Sequence, residues 1–237
     1  MVFMHRTIGA LLLFGISFGY VEAAVVVYLR AIYDPIRERL HPGRAPHDLF
    51  PLITTEQLRA TGTENTRRLG IEIGREAATI VMLAGFALVA GRNFRERLAA
   101  LAVAFGLWDI SFYAFLKLMI GWPDSLFTWD ILFLIPLPWI GPVIAPVIVS
   151  LTLIAGGLVS LRYGGLPARP LEWAAMIAGG LVIILAFVWD FRNTAAGGLP
   201  NPFNWSLFFA GETIAVIGFI AAARKRESPG SRTQPDS

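Results

Sequence analysis

Six apolar runs, each close to the length of a bilayer crossing, constrain this chain more than any other feature. They fall at about 8–29, 75–91, 98–120, 139–161, 171–190 and 205–223. A helix rises about 1.5 Å per residue, so roughly 20 apolar residues cross a hydrocarbon core of about 30 Å. Inside a bilayer the backbone must satisfy its own hydrogen bonds, and a helix does so within one segment. The expected fold class is therefore all-α, a polytopic membrane helix bundle with about six transmembrane helices. A soluble domain is excluded by 55% hydrophobic and 16% charged residues, because soluble domains carry about 25% charge. A short basic start and Val21-Glu22-Ala23 have the outline of a cleavable leader. The apolar run continues to Leu29, however, and that length predicts a span.

The stretch from Asp124 to Leu161 is too long for one crossing and contains Pro136, Pro138, Pro142 and Pro146. It predicts an outer interfacial or re-entrant helix over Ser125–Ile135, broken at Pro136-Leu137-Pro138, then the fourth span. The long first loop, about 30–74, is rich in Pro. It carries helix-start signals at Thr54-Thr55-Glu56-Gln57 and Thr61-Gly62-Thr63-Glu64. These predict a small extracytoplasmic cap, with the second helix beginning near Thr63. Residues 1–226 read as one transmembrane domain, and the polar residues 227–237 as a disordered cytoplasmic tail.

Arg and Lys in short loops set the orientation. Arg6, Arg92, Arg95, Arg97, Arg162, Arg169, Arg224, Lys225 and Arg226 share one side, which places both termini in the cytoplasm of a multi-pass inner-membrane protein. Tyr28, Tyr33, Trp122, Trp129, Trp139, Trp189 and Trp205 then fall at the outer interface as an aromatic belt. Trp108-Asp109, Trp129-Asp130 and Trp189-Asp190 share a dipeptide, but their neighbours do not align as a repeat.

Carboxylates lie inside these runs. Glu22, Asp109 and Glu212 each interrupt apolar sequence, where a charge costs several kcal/mol unless paired, protonated or hydrated. Glu22 counts roughly 20 Å in from the cytoplasmic start of its run, and Glu212 about 10 Å below the outer surface. Arg75, Glu76, Lys117, Asp130 and Asp190 also fall in the outer halves or at the outer ends. That asymmetry predicts one polar cavity opening outward. Asp109, Tyr113 and Lys117 recur every four residues as one helix stripe, and Glu72, Arg75, Glu76 and Thr79, linked by steps of three and four, form another. Gly15, Gly19 and Ala23 form a small-residue stripe that lets another helix approach, with Glu22 at its edge. The substrate- or ion-binding candidates are Glu22, Asp109, Glu212, Arg75, Glu76, Tyr113, Lys117, Asp130 and Asp190. Purely structural pairing would instead join Glu22 to Arg75, Asp109 to Lys117, Asp190 to Arg192 and Glu72 to Arg75.

Several chemistries are ruled down. The chain has no Cys, and His5, His41 and His47 lie outside the runs. No cofactor is expected: thiolate sites are excluded, and haem and zinc are disfavoured. A carboxylate-bound Mg²⁺ or Ca²⁺ stays open. No Walker-type loop exists. The basic balance follows from cytoplasmic Arg and implies no nucleic-acid partner. The expected partners are the lipid bilayer, a second copy in a homodimer and an unidentified small molecule. Three functions remain: a small-solute or ion transporter, a membrane enzyme acting on a lipid-like substrate, and a structural or assembly subunit of a membrane complex. Intramembrane carboxylates and the Pro-broken segment favour the first.

Overall fold

The computed structural model describes residues 2–45 and 47–224. The tail expected at 227–237 lies outside the described residues. In chain order the elements are α1 (Val2–Leu40), α2 (Thr55–Ala60), α3 (Thr63–Ala90), α4 (Phe94–Ile120), β1 (Trp129–Phe133), β2 (Trp139–Pro142), α5 (Ile144–Arg162), α6 (Pro170–Val188), α7 (Phe191–Ala195) and α8 (Trp205–Arg224). Six helices, α1, α3, α4, α5, α6 and α8, are long and apolar enough to cross a membrane.

Local chemistry sets the helix ends. Thr54 and Gln57 close a reciprocal capping box on α2, and α3 begins at the predicted Thr63. Asn93 caps α4 by accepting from the Glu96 N–H at 3.0 Å. Gly121 ends α4 in the left-handed region at φ 74°, which a side chain rarely adopts. Pro170 occupies the first turn of α6, where its missing N–H is not needed. α1 runs well past Leu29, with Pro35 inside it, and its polar extension is held by an Arg37–Asp34 pair at 2.5 Å.

The outer helix expected over Ser125–Ile135 is not formed. Residues 129–142 make an antiparallel hairpin instead, pairing Asp130 with Gly141 and Ile131 with Ile140. The fold is thus a helix bundle with a two-stranded hairpin, not purely all-α, and the fourth spanning helix starts at Ile144 instead of 139. Pro136 and Pro138 forbid a continuous helix, and the preceding Trp-Asp-Ile-Leu-Phe is rich in strand formers. The Thr128 hydroxyl accepts from the Ser125 N–H at 3.1 Å and the Ser125 hydroxyl from the Phe127 N–H at 3.2 Å, making 125–128 a turn.

Glycine spacing sorts the long helices into two tight groups. A Cβ on Gly19 would meet Ser111 Cβ at 2.6 Å and the Trp108 carbonyl at 2.8 Å, so α1 and α4 touch backbone to backbone. The predicted stripe of Gly15, Gly19 and Ala23 is this interface, with Ala23 fully buried. Gly106 and Gly157 bring α4 equally close to α5, through the Ser150 and Ala99 carbonyls. α3 lies against α1 and α4 around Leu83 and Ala87, with Phe14 and Phe86 stacked at 4.1 Å. The second group is α6 with α8, where Gly179 and Gly211 interlock and Gly218 meets Ala175. α6 and α8 touch α5 sparsely. Along that seam Gly156 meets the Phe219 ring at an ordinary 3.5 Å. The hairpin joins the groups: a Cβ on Gly141 would meet the Phe187 ring of α6 at 2.9 Å, and Trp139 stacks on the same ring.

Candidate functional site

Polar side chains on α1, α3, α4, α5, α8 and β1 gather in three clusters. The first cluster joins α1 to α3. Glu22, 5% exposed, accepts a hydrogen bond from Arg75 Nη1 and another from Thr79 Oγ1 at 2.8 Å. Arg75 also grips Glu72 through Nε at 2.9 Å. Both pairs foreseen here, Glu22–Arg75 and Glu72–Arg75, form. One guanidinium therefore serves two carboxylates, and its donors are planar and fixed, which suits that task. Glu76, one residue on, turns to the hairpin and accepts from the Leu134 N–H at 2.8 Å. That bond covers a backbone donor where β1 ends, which an apolar setting requires.

The second cluster lies between α1, α4, α5 and β1. Asp109 accepts from the Ser150 hydroxyl at 2.7 Å, and Tyr113 donates to Asp130 at 2.9 Å. Arg30 is 5% exposed and sits over Trp122, its Cζ 3.8 Å from the ring centroid, with Asp130 the opposing charge that acts on it most strongly. Asp130 sits in β1, outside the long helices. Burial pushes its carboxyl up to about 6, while Arg30, the Tyr113 hydroxyl and the Ile131 N–H pull the other way.

That shift has a stability consequence. The folded state holds the Asp130 proton more tightly than the unfolded chain, so stability is full below about pH 4 and falls as pH rises to about 6. The loss is on the order of 3 kcal/mol. Thermal unfolding of the detergent-purified protein should show this decline, and Asp130→Asn should flatten it. An unchanged profile in that variant would assign the decline to another group.

The third cluster is small. Glu212 on α8, 8% exposed, accepts from the Thr152 hydroxyl on α5 at 3.2 Å. It is a hydrogen bond across the seam between the two helix groups.

Two candidates stand apart. Lys117 does not reach Asp109. It is exposed at the end of α4, where Nζ donates to the carbonyls of Gly121 and Pro123 at 2.7 and 2.8 Å, because an ammonium on the last turn finds orphan carbonyls there. Asp190 does not pair with Arg192. It accepts from Asn193 and from the Asn201 backbone and side chain, tying the loop before α8. Of the expected aromatic belt, Tyr28 and Trp189 are exposed, whereas Trp122 is buried under Arg30.

Glu72 and Thr79, named only as part of a helix stripe, and Arg30, Ser150 and Thr152 take part without having been among the candidates. Arg30 followed the first run directly and read as the start of a loop, not as part of a continuing helix. Ser150 and Thr152 did leave a signal: they are hydroxyls inside an otherwise apolar run. Among the described residues no three His, Asp or Glu side chains are grouped to hold a metal ion. Compared with protein-family models, curated proteins and solved structures, the chain matches none.

Proposed function

We propose that this chain is a small-solute or ion transporter of the cell (inner) membrane, in which α6 and α8 move as a unit against α1, α3, α4 and α5. The observation that carries this reading is the position of Glu212. Backbone-close glycine contacts lock α1 to α4 to α5 and α6 to α8, α3 packs on α1 and α4 through side chains, and the seam between the two groups is thin. Glu212 and Thr152 are the polar pair on that seam. A buried carboxyl with a single hydroxyl partner is a natural proton or cation site, and rocking of one bundle against another is how many transporters alternate access. Glu22, Glu76, Asp109 and Asp130 belong to the other class. Each bridges two elements within one group or between it and the hairpin, and holds the frame against which the pair would move. Cytoplasmic termini and a homodimeric state complete the proposal; both follow from loop charge and chain size.

The same bridges favour a second reading, a structural subunit whose polar pairs only fix helix positions. One experiment separates the two. Leu151 on α5 and Leu181 on α6 are exposed and, in a chain without Cys, accept single cysteine spin labels cleanly. In proteoliposomes their separation should show two populations whose ratio shifts with pH, and Glu212→Gln should abolish the pH response. A single narrow distance, unmoved by pH or by the Gln variant, would leave the structural reading.

A further inference from the structure

A second site lies beyond the ends of the long helices. A cleft of about 290 Å³ opens between the loop after α1, the turn before β1 and the segment before α8. Its lining includes three aromatic rings, Phe50, Trp122 and Trp129, together with Pro200. The same lining carries one base and one acid, Arg44 and Asp48.

These two charges are poorly used by the protein itself. Arg44 Nη2 is 3.7 Å from Asp48 Oδ2, too far for a hydrogen bond. Arg44 Nη1 has no hydrogen-bond partner among the described residues. Asp48 spends one oxygen on the Phe50 N–H at 3.2 Å, which fixes the carboxylate beside the aromatic lining. A loose, half-buried pair of this kind adds little to stability and is readily opened by a competing ligand.

We propose that this cleft binds a zwitterion, with its anionic group on Arg44 and its ammonium between Asp48 and the aromatic rings. A simple anion would meet Asp48, and a simple cation would meet Arg44. A ligand with both charges a few ångströms apart replaces the Arg44–Asp48 contact with two better ones. Arg binds phosphate or carboxylate oxygens with paired N–H donors. Tryptophan and phenylalanine faces attract ammonium groups through their ring quadrupoles. Trp122 already holds the Arg30 guanidinium this way on its own ring, at 3.8 Å. Two sources supply such chemistry: the phosphate–ammonium headgroup of a membrane lipid, and a free solute of the same pattern. The proposal does not depend on movement of α6 and α8.

The test uses phosphoethanolamine as the soluble probe and phosphatidylethanolamine in mixed micelles as the lipid probe, read by calorimetry and by tryptophan emission on the full chain. Saturable binding is expected, with inorganic phosphate at least tenfold weaker. Arg44→Gln and Asp48→Asn should each weaken it about tenfold, the loss of one hydrogen bond to a charged group. Asn keeps an oxygen for the Phe50 N–H, so Asp48→Asn retains the loop even if Arg44→Gln disturbs it; unfolding midpoints check both. Binding of the lipid alone identifies a headgroup site, and equal binding of the free compound identifies a solute site. Failure of both probes to saturate, inorganic phosphate binding as well, or affinity unchanged in both variants overturns the proposal.

Discussion

Replacing Arg75 by Leu is expected to lower stability by about 3–5 kcal/mol, because it leaves a buried carboxylate without its counter-charge. The size follows from how many groups depend on that one side chain. Arg75 donates to Glu22 on α1 and to Glu72 on its own helix. Glu22 is 5% exposed and would keep only the Thr79 hydroxyl. α3 has few other attachments at this height, since its contact with α1 and α4 is concentrated around Leu83 and Ala87. The pair itself is a poor source of net stability, because both groups were taken out of water to form it. Replacing all partners together should therefore recover most of the loss. A variant carrying Glu22→Met, Glu72→Gln and Arg75→Leu should unfold near the wild-type midpoint, while Arg75→Leu alone unfolds far below it. Thermal unfolding in one detergent reads both. If Arg75→Leu is as stable as wild type, the ion pair does not bridge α1 and α3.

The sequence made some of this arrangement legible and hid the rest, for physical reasons. Hydropathy exposes a span because the bilayer demands length and apolarity together, and all six were found. Charge within apolar sequence is equally visible, so Glu22, Asp109 and Glu212 stood out before any contact was known. Glu22–Arg75 was foreseen as the pairing of an acid and a base that fall in the outer halves of their runs. The hairpin was missed because Trp129 to Pro142 has the apolarity of a membrane helix, and at this length apolarity does not distinguish strand from helix. Pro136 and Pro138 signalled a break without saying what lay on either side. The alternative pairing of Lys117 with Asp109 rested on helical spacing alone. Spacing ignores the unpaired carbonyls at a helix end, which bind the ammonium instead. The division into two helix groups was not visible, although Gly179, Gly211 and Gly218 were there to be read. A glycine tells nothing of its partner until another helix is placed against it.

Gly19→Leu tests that frame directly, and its expected effect is a loss of about 3 kcal/mol or more. Overpacking a core typically costs 1–3 kcal/mol when side chains can give way. Here two of the three nearest neighbours are backbone: the Trp108 carbonyl at 2.8 Å and the Phe112 nitrogen at 2.9 Å. Neither changes rotamer, so α1 must move away from α4 to admit any side chain. That motion would also withdraw Glu22, three residues along the same face, from Arg75 and Thr79. Ser111→Gly removes the third neighbour, a Cβ at 2.6 Å, and should rescue Gly19→Leu only slightly. Gly180 supplies the control. A Cβ there meets nothing within 4 Å, so Gly180→Leu should be neutral or slightly stabilising, since Leu is the better helix former by up to about 1 kcal/mol. Unfolding midpoints of the three variants decide the matter. Equal losses at Gly19 and Gly180 would mean that leucine is harmful in any of these helices, and full rescue by Ser111→Gly would mean that side chains, not backbones, set the distance between α1 and α4.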